Sequence, residues 1–179
     1  MVPRLARPYI GCAFFVGGIM RKFEKISYQQ FEKDIGKDDF LYASYGLPKR
    51  STCYSAGYDF FSLIDDQLLP GETKTFPLGV KVQMETDDCL LLMIRSSQGF
   101  HYNLRLVNQV GVVDKDYYDN TFNEGHMMIR LRNEGEKVYS IRKGDKICQG
   151  IFVKYYVTDD DSATEERIGG FGSTNGRSE

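Results

Sequence analysis

Near the C-terminus, Arg167-Ile168-Gly169-Gly170-Phe171-Gly172-Ser173-Thr174 combines the groups needed to close around a phosphate chain. Consecutive glycines let backbone N–H groups converge on anionic oxygens, and Ser173 and Thr174 add hydroxyl donors. Arg167 supplies a planar cationic fork. Phe171 stands among glycines with no local core to fill, and stacking on a base would give it a partner. Glycine-rich tails are also often unstructured, so this segment alone decides nothing.

Two further segments bear chemistry. Arg95-Ser96-Ser97-Gln98-Gly99 follows an apolar run and sets charge and hydroxyls at a strand end; a phosphate-binding turn and an ordinary polar turn explain it equally well. Gly111-Val112-Val113-Asp114-Lys115-Asp116-Tyr117 places a carboxylate behind an apolar pair. Paired aspartates are more often a solvated turn than a site. A carboxylate beside a phosphate pocket is nevertheless the simplest general base for a water nucleophile.

These segments need a rigid frame, and the sequence between them reads as strands. Val80, Val82 and Met84 alternate with Lys81 and Gln83, which predicts a half-buried strand. Residues 89–94 form a continuous apolar run suited to a strand covered on both faces. Met127, Ile129 and Leu131 alternate again, and residues 147–157 predict another long strand. Turn signals such as Pro70-Gly71, Asn133-Glu134-Gly135 and Lys143-Gly144-Asp145 separate them. Many short strands at close intervals, without a βαβ alternation or an internal repeat, predict an all-β jelly-roll or β-barrel-like fold.

Flanking segments differ from this core, taken as residues 47–157. Residues 1–19 carry Arg4 and Arg7 before an apolar stretch too short to span a bilayer. They read as an upstream extension, with Met20 as an alternative start, rather than as a secretion signal. Residues 20–46 predict one short accessory helix: Ser27 and Gln30 fit a capping box, Ile26 and Phe31 a hydrophobic staple, and Gly36 a stop. Residues 158–179 form a flexible arm, whose acidic Asp159, Asp160 and Asp161 are assigned no function.

Bulk properties narrow the partners. The 179 residues suit a single domain, and a net charge of −2 argues against general attraction to nucleic acid or anionic membranes. Any polyanionic substrate must therefore meet locally concentrated positive charge. Cys12, Cys53, Cys89 and Cys148 form no CxxC pair, which points to reduced thiols in a cytoplasmic protein without structural zinc.

Five segments together resemble the motifs of the trimeric dUTPase family, bacterial or phage type. In order they are Ser55-Ala56-Gly57-Tyr58-Asp59, Arg95-Ser96-Ser97, Gly111 through Tyr117, Gly144-Asp145-Lys146-Ile147-Cys148-Gln149, and Arg167 through Thr174. The segment Asp116-Tyr117-Tyr118-Asp119-Asn120 with Asn123-Glu124-Gly125-His126 strengthens the likeness to bacterial and phage members. The resemblance implies hydrolysis of dUTP to dUMP and diphosphate by water attack on the α-phosphorus. It makes Asp114 the base and Mg2+ the cofactor, held mainly by the substrate phosphates, with Asp59 reaching it through water. Arg95, Ser96, Ser97, Gln149, Arg167, Ser173 and Thr174 would contact the phosphates. Asn108, Gly111, Val113, Tyr117, Phe171 and Gly172 would receive uracil and deoxyribose, Tyr117 excluding a 2′-hydroxyl and Phe171 capping the base.

The resemblance further implies a homotrimer with shared sites, motifs one, two and four from one chain, three from a second and five from a third. A dCTP deaminase, which shares the fold, is the enzyme alternative, although 111–117 matches the hydrolase form better. A nucleotide-responsive regulatory protein is the alternative from another class. Gln98, where many relatives carry a smaller or aliphatic residue, and Asn175, where glycine is more usual, are the two departures from the pattern.

Overall fold

A computed structural model describes residues 21–164 of the chain. Twelve strands carry the described fold. The first part runs β1 (Lys22–Lys25), α1 (Tyr28–Asp34), α2 (Asp39–Ser44), β2 (Lys49–Arg50), β3 (Tyr58–Phe61), β4 (Asp66–Leu68), β5 (Thr73–Pro77) and β6 (Val80–Gln83). It continues through β7 (Asp88–Met93), α3 (Ser96–Tyr102), β8 (Leu104–Leu106), β9 (Gly111–Val113), β10 (Met128–Asn133), β11 (Tyr139–Ile141) and β12 (Lys146–Lys154). All pairings are antiparallel, in sheets ordered β2-β3-β12-β7-β9, β5-β10-β8, β1-β6 and β4-β11. The class is all-β and jelly-roll-like, as the strand spacing predicts.

The predicted strands form where their periodicity places them. Val80 and Val82 are buried while Lys81 and Gln83 are half-buried, because β6 shows one face to the core. β7 lacks this alternation because it lies between β12 and β9 in the widest sheet. The long strand predicted over 147–157 stops at Lys154, which pairs with Asp88, the first residue of β7. Beyond it no ladder partner remains, and Tyr155 instead bonds Asp87 and Thr86 in the preceding turn.

The accessory segment holds β1 and two helices where the sequence predicts one. Ser27 caps α1, its Oγ accepting the Gln30 N–H at 3.1 Å. The reciprocal half of the capping box is not local: the Ser27 N–H donates to Glu124 Oε2 at 2.9 Å, while the Gln30 amide donates to Asp34. Ile26 and Phe31 are both fully buried, as a staple requires, in a small cluster with Leu41 and Leu63. Asp38 caps α2 by accepting the Leu41 N–H at 2.7 Å. The polar segment after β7, expected to be a turn, instead opens helix α3, which ends where Asn103 adopts φ 51°.

Candidate active site

β12 lies between β3 and β7, so Gln149 faces Asp59 on one side and Met93 on the other. That register brings the first, second and fourth motifs to one end of the sheet. Asp59 is only 6% exposed, and three neighbours hold its carboxylate: Arg95 Nε at 3.0 Å, Lys146 Nζ at 2.7 Å and Ser51 Oγ at 2.6 Å. Lys146 also donates to Ser51 Oγ at 2.7 Å. Burial pushes the Asp59 carboxyl upward, but the bonds from Lys146 and Ser51 and the Arg95 charge outweigh it and bring it below its ordinary value. Two cations thus share one carboxylate, leaving net positive charge at the strand ends.

The Gln149 amide donates to the Ile94 carbonyl at 3.2 Å, beside Arg95. Gly57 lies against the same side chain: a Cβ there would lie 2.6 Å from Gln149 Oε1, so a larger residue would push the Gln149 amide from this position. Ser96 and Ser97 begin α3 and are exposed. Buried Gln98 accepts the Arg95 N–H at 3.3 Å and donates to the Lys146 carbonyl at 3.0 Å and the Tyr139 hydroxyl at 3.1 Å. This departure from the family pattern therefore braces the second motif against the fourth.

The third motif forms a separate unit. β8 pairs with β10 and β9 with β7, and the loop that carries the chain from one sheet to the other, residues 107–110, places Gln109 at φ 61° and exposes Asn108. A cavity of about 360 Å³ opens there, lined by Leu92, Leu106, Asn108, Gly111 and Met128 with Thr75 and Arg130. A Cβ on Gly111 would lie 3.4 Å from the Leu92 Cβ and 3.5 Å from the Asn108 amide nitrogen, ordinary van der Waals contact that places this residue directly against the Asn108 amide. Val113 is buried, and Asp114 follows as the residue capping a 3-10 turn, Lys115–Tyr117. Burial raises the Cys89 thiol and the Asp114 charge adds to the effect, consistent with the register that sets Asp114 beside Cys89.

The two units are well separated within one chain. Six residues of extended chain separate Cys89, opposite Asp114, from Arg95, about 20 Å at strand rise. Arg167, Phe171, Gly172, Ser173 and Thr174 lie outside the described residues. Lys146 and Ser51 are site residues that sequence reasoning did not single out, and Gln98 was noted there only as a departure from the family pattern, without its bracing role. Lys146 lies inside a quoted motif, whereas only the fold brings Ser51 to Asp59. Among the described residues no group of three or more His, Cys, Asp or Glu side chains is placed to hold a metal. Asp59, already paired with cations, fits a Mg2+ ion that arrives on a triphosphate better than a dedicated protein cage.

An all-β frame with a cationic strand-end cluster and a carboxylate at the end of β9 is an arrangement suited to a phosphate-bearing ligand. The chain belongs to the dUTPase family, whose model, described as dUTPase, matches residues 43–175. The deoxyuridine 5′-triphosphate nucleotidohydrolase of Lactococcus lactis subsp. lactis (strain IL1403) is 45% identical over 134 residues, 74% of this chain and 89% of its own. The crystal structure of dUTPase from Streptococcus mutans is similar at TM-score 0.63 and 33% identity, over 76% of this chain and 98% of that one. A mutant dUTPase from phage phi11 of S. aureus, described with a structural Mg(II) ion, has the same fold at TM-score 0.59 and 19% identity, over 82% and 97% of the two chains.

Proposed function

We propose that this chain hydrolyses dUTP to dUMP and diphosphate at a site completed only between subunits of a homotrimer. The observation that carries this reading is the separation of Asp114 from Arg95 within one chain, beside an edge strand, β9, that leaves Val112 61% exposed. Together with exposed Val107 and Val110 in the preceding loop, it makes an apolar surface suited to burial against another subunit. The β9 edge of one subunit, with Asp114, would then face the Asp59-Arg95-Gln149 cluster of its neighbour.

In that arrangement Asp114 takes a proton from water as the water oxygen attacks the α-phosphorus. The bond between the α-phosphorus and the α,β-bridging oxygen breaks, and its electron pair leaves with diphosphate. Arg95, Ser96, Ser97 and Gln149 orient the phosphate chain, so positioning and charge neutralisation provide the catalysis. Mg2+, when bound, offsets charge on the phosphate oxygens, and Asp59 is the side chain that would meet its water shell. Asn108, Gly111 and Val113 receive uracil, whose hydrogen-bonding edge would leave cytosine mismatched. Tyr117 packs under the deoxyribose. From a third subunit, Phe171 and Gly172 cover the base, while Arg167, Ser173 and Thr174 close over the γ-phosphate and exclude water.

Diphosphate release from dUTP, dCTP, dTTP and UTP with Mg2+ tests the reading, with Asp114→Asn as the comparison. The expected outcome is cleavage of dUTP alone, lost in the variant. Ammonia release from dCTP would replace this reading with a deaminase, and absence of turnover by a folded trimer would replace it with a binding role.

A further inference from the structure

The loop from the 3-10 turn after β9 to β10, residues 118–127, takes no part in the roles above, yet its polar side chains converge on Tyr117. Tyr117 is 6% exposed. Its hydroxyl donates to the His126 carbonyl at 3.0 Å and accepts from the Asn123 amide nitrogen at 2.8 Å. The Asn120 amide donates to the Tyr117 carbonyl at 2.8 Å and to Asn123 Oδ1 at 2.9 Å. Gly125, at φ 80°, packs so closely that a Cβ there would lie 2.5 Å from the Tyr117 carbonyl oxygen. The loop is thus folded onto both ends of this tyrosine.

A second layer secures the loop. His126 is fully buried, and its Nε2 accepts the Gly79 N–H at 2.9 Å, which leaves Nδ1 as donor to Asp34 of α1 at 2.6 Å. Glu124 ties the same loop to the first turn of α1 through Ser27. With its hydroxyl turned inward and bonded twice, Tyr117 can offer a ligand only its ring.

We propose that Asn123 is a positioning residue for sugar selection: by bonding the Tyr117 hydroxyl it fixes the depth of the ring that faces the substrate's sugar. This inference rests on the function proposed above, in which Tyr117 packs under the deoxyribose. A 2′-hydroxyl is rejected only if that ring cannot yield. Removing the Asn123 donor leaves the phenol one partner short and lets the ring shift away from the ribose.

The test compares kcat/KM for dUTP and UTP in the wild type, Asn123→Ala, Tyr117→Phe and the double variant, with thermal melting as a check of folding. Asn123→Ala is expected to lower the preference for dUTP about 10-fold, the scale of a single pocket contact. Because both variants delete the same bond, the double variant should lose little more than either single one. Unchanged selectivity in folded Asn123→Ala, or additive losses in the double variant, overturns the proposal. If Asn123→Ala does not fold, Tyr117→Phe deletes the bond from the other side, and unchanged selectivity there overturns it as well. A wild type that does not cleave dUTP instead refutes the underlying reading of function.

Discussion

At the scale of single residues, the pairing of Asp59 with both Arg95 and Lys146 controls how much charge the site presents. Asp59 is nearly inaccessible and its carboxyl lies below the ordinary value, so it stays ionised wherever the enzyme works. A lowered folded-state value means stability that is present above the ordinary carboxylate range and lost as pH falls through the lowered one. Asp59→Asn should therefore melt at a lower temperature than the wild type near neutral pH, and the gap should close in acid. Melting curves across that range check it. Lys146→Met removes one of the two cations without touching Arg95. We predict a rise in KM for dUTP of about 10-fold with a smaller change in kcat, because a charge-assisted contact that helps hold ground-state phosphates is worth about 1.5–3 kcal/mol. Unchanged KM would show that Lys146 serves Asp59 alone.

The elements add a constraint that no single residue carries. α1 has seven residues, too few to be stable alone, and it depends on contacts distant in sequence. Asp34 bonds His126, Glu124 bonds Ser27, and Phe31 fills the small cluster beneath. Burial lowers the His126 value against the opposing pull of Asp34 and the Glu124 charge. Protonation would also turn its Nε2 from acceptor into donor, facing the Gly79 N–H. With its folded value below the unfolded one, the buried histidine supports the fold fully above its ordinary value and progressively less as pH falls below it. His126→Gln can both accept and donate but does not titrate. It should flatten the fall in melting temperature between about pH 7 and pH 5 that a histidine titration imposes on the wild type. A variant whose melting temperature falls as steeply as the wild type's would remove His126 as the titrating group.

The same contacts show which elements were legible beforehand. The strands around Val80 and Ile129 announced themselves by alternation, since each sends one row of side chains inward. α1 was legible through Ser27 and its staple. α2 and α3 were not, because each buries a single side chain, Leu41 in one and Gln98 in the other, and one buried residue makes no period. That the one in α3 is polar hid it further. Its value lies in hydrogen bonds to Tyr139 and Lys146, whose proximity only the fold creates.

For the whole molecule, the order of motifs identified the chemistry, and the family resemblance alone, not any pattern of residues, implied that the third motif and the first, second and fourth serve a site from different subunits. Arg95 and Asp114 are separated by the length of β7, a consequence of the pairing of Leu90 with Val113 and Leu92 with Gly111. Nothing in spacing along the chain encodes that register. It has a consequence that activity alone would not reveal. If Asp114 of one subunit serves Arg95 of another, Arg95→Ala and Asp114→Asn variants damage opposite halves of the site and can complement each other. Each variant alone should be inactive. In trimers re-formed from an equal mixture, a site works when the subunit giving Arg95 is the Asp114→Asn chain and its neighbour is the Arg95→Ala chain. Random assembly around a threefold axis satisfies both conditions in about a quarter of the sites. Re-forming the mixture from denaturant should therefore restore about a quarter of wild-type turnover, whereas mixing without exchange should restore none. A site contained within one chain would show no recovery under either condition, because every chain would carry a disabled half.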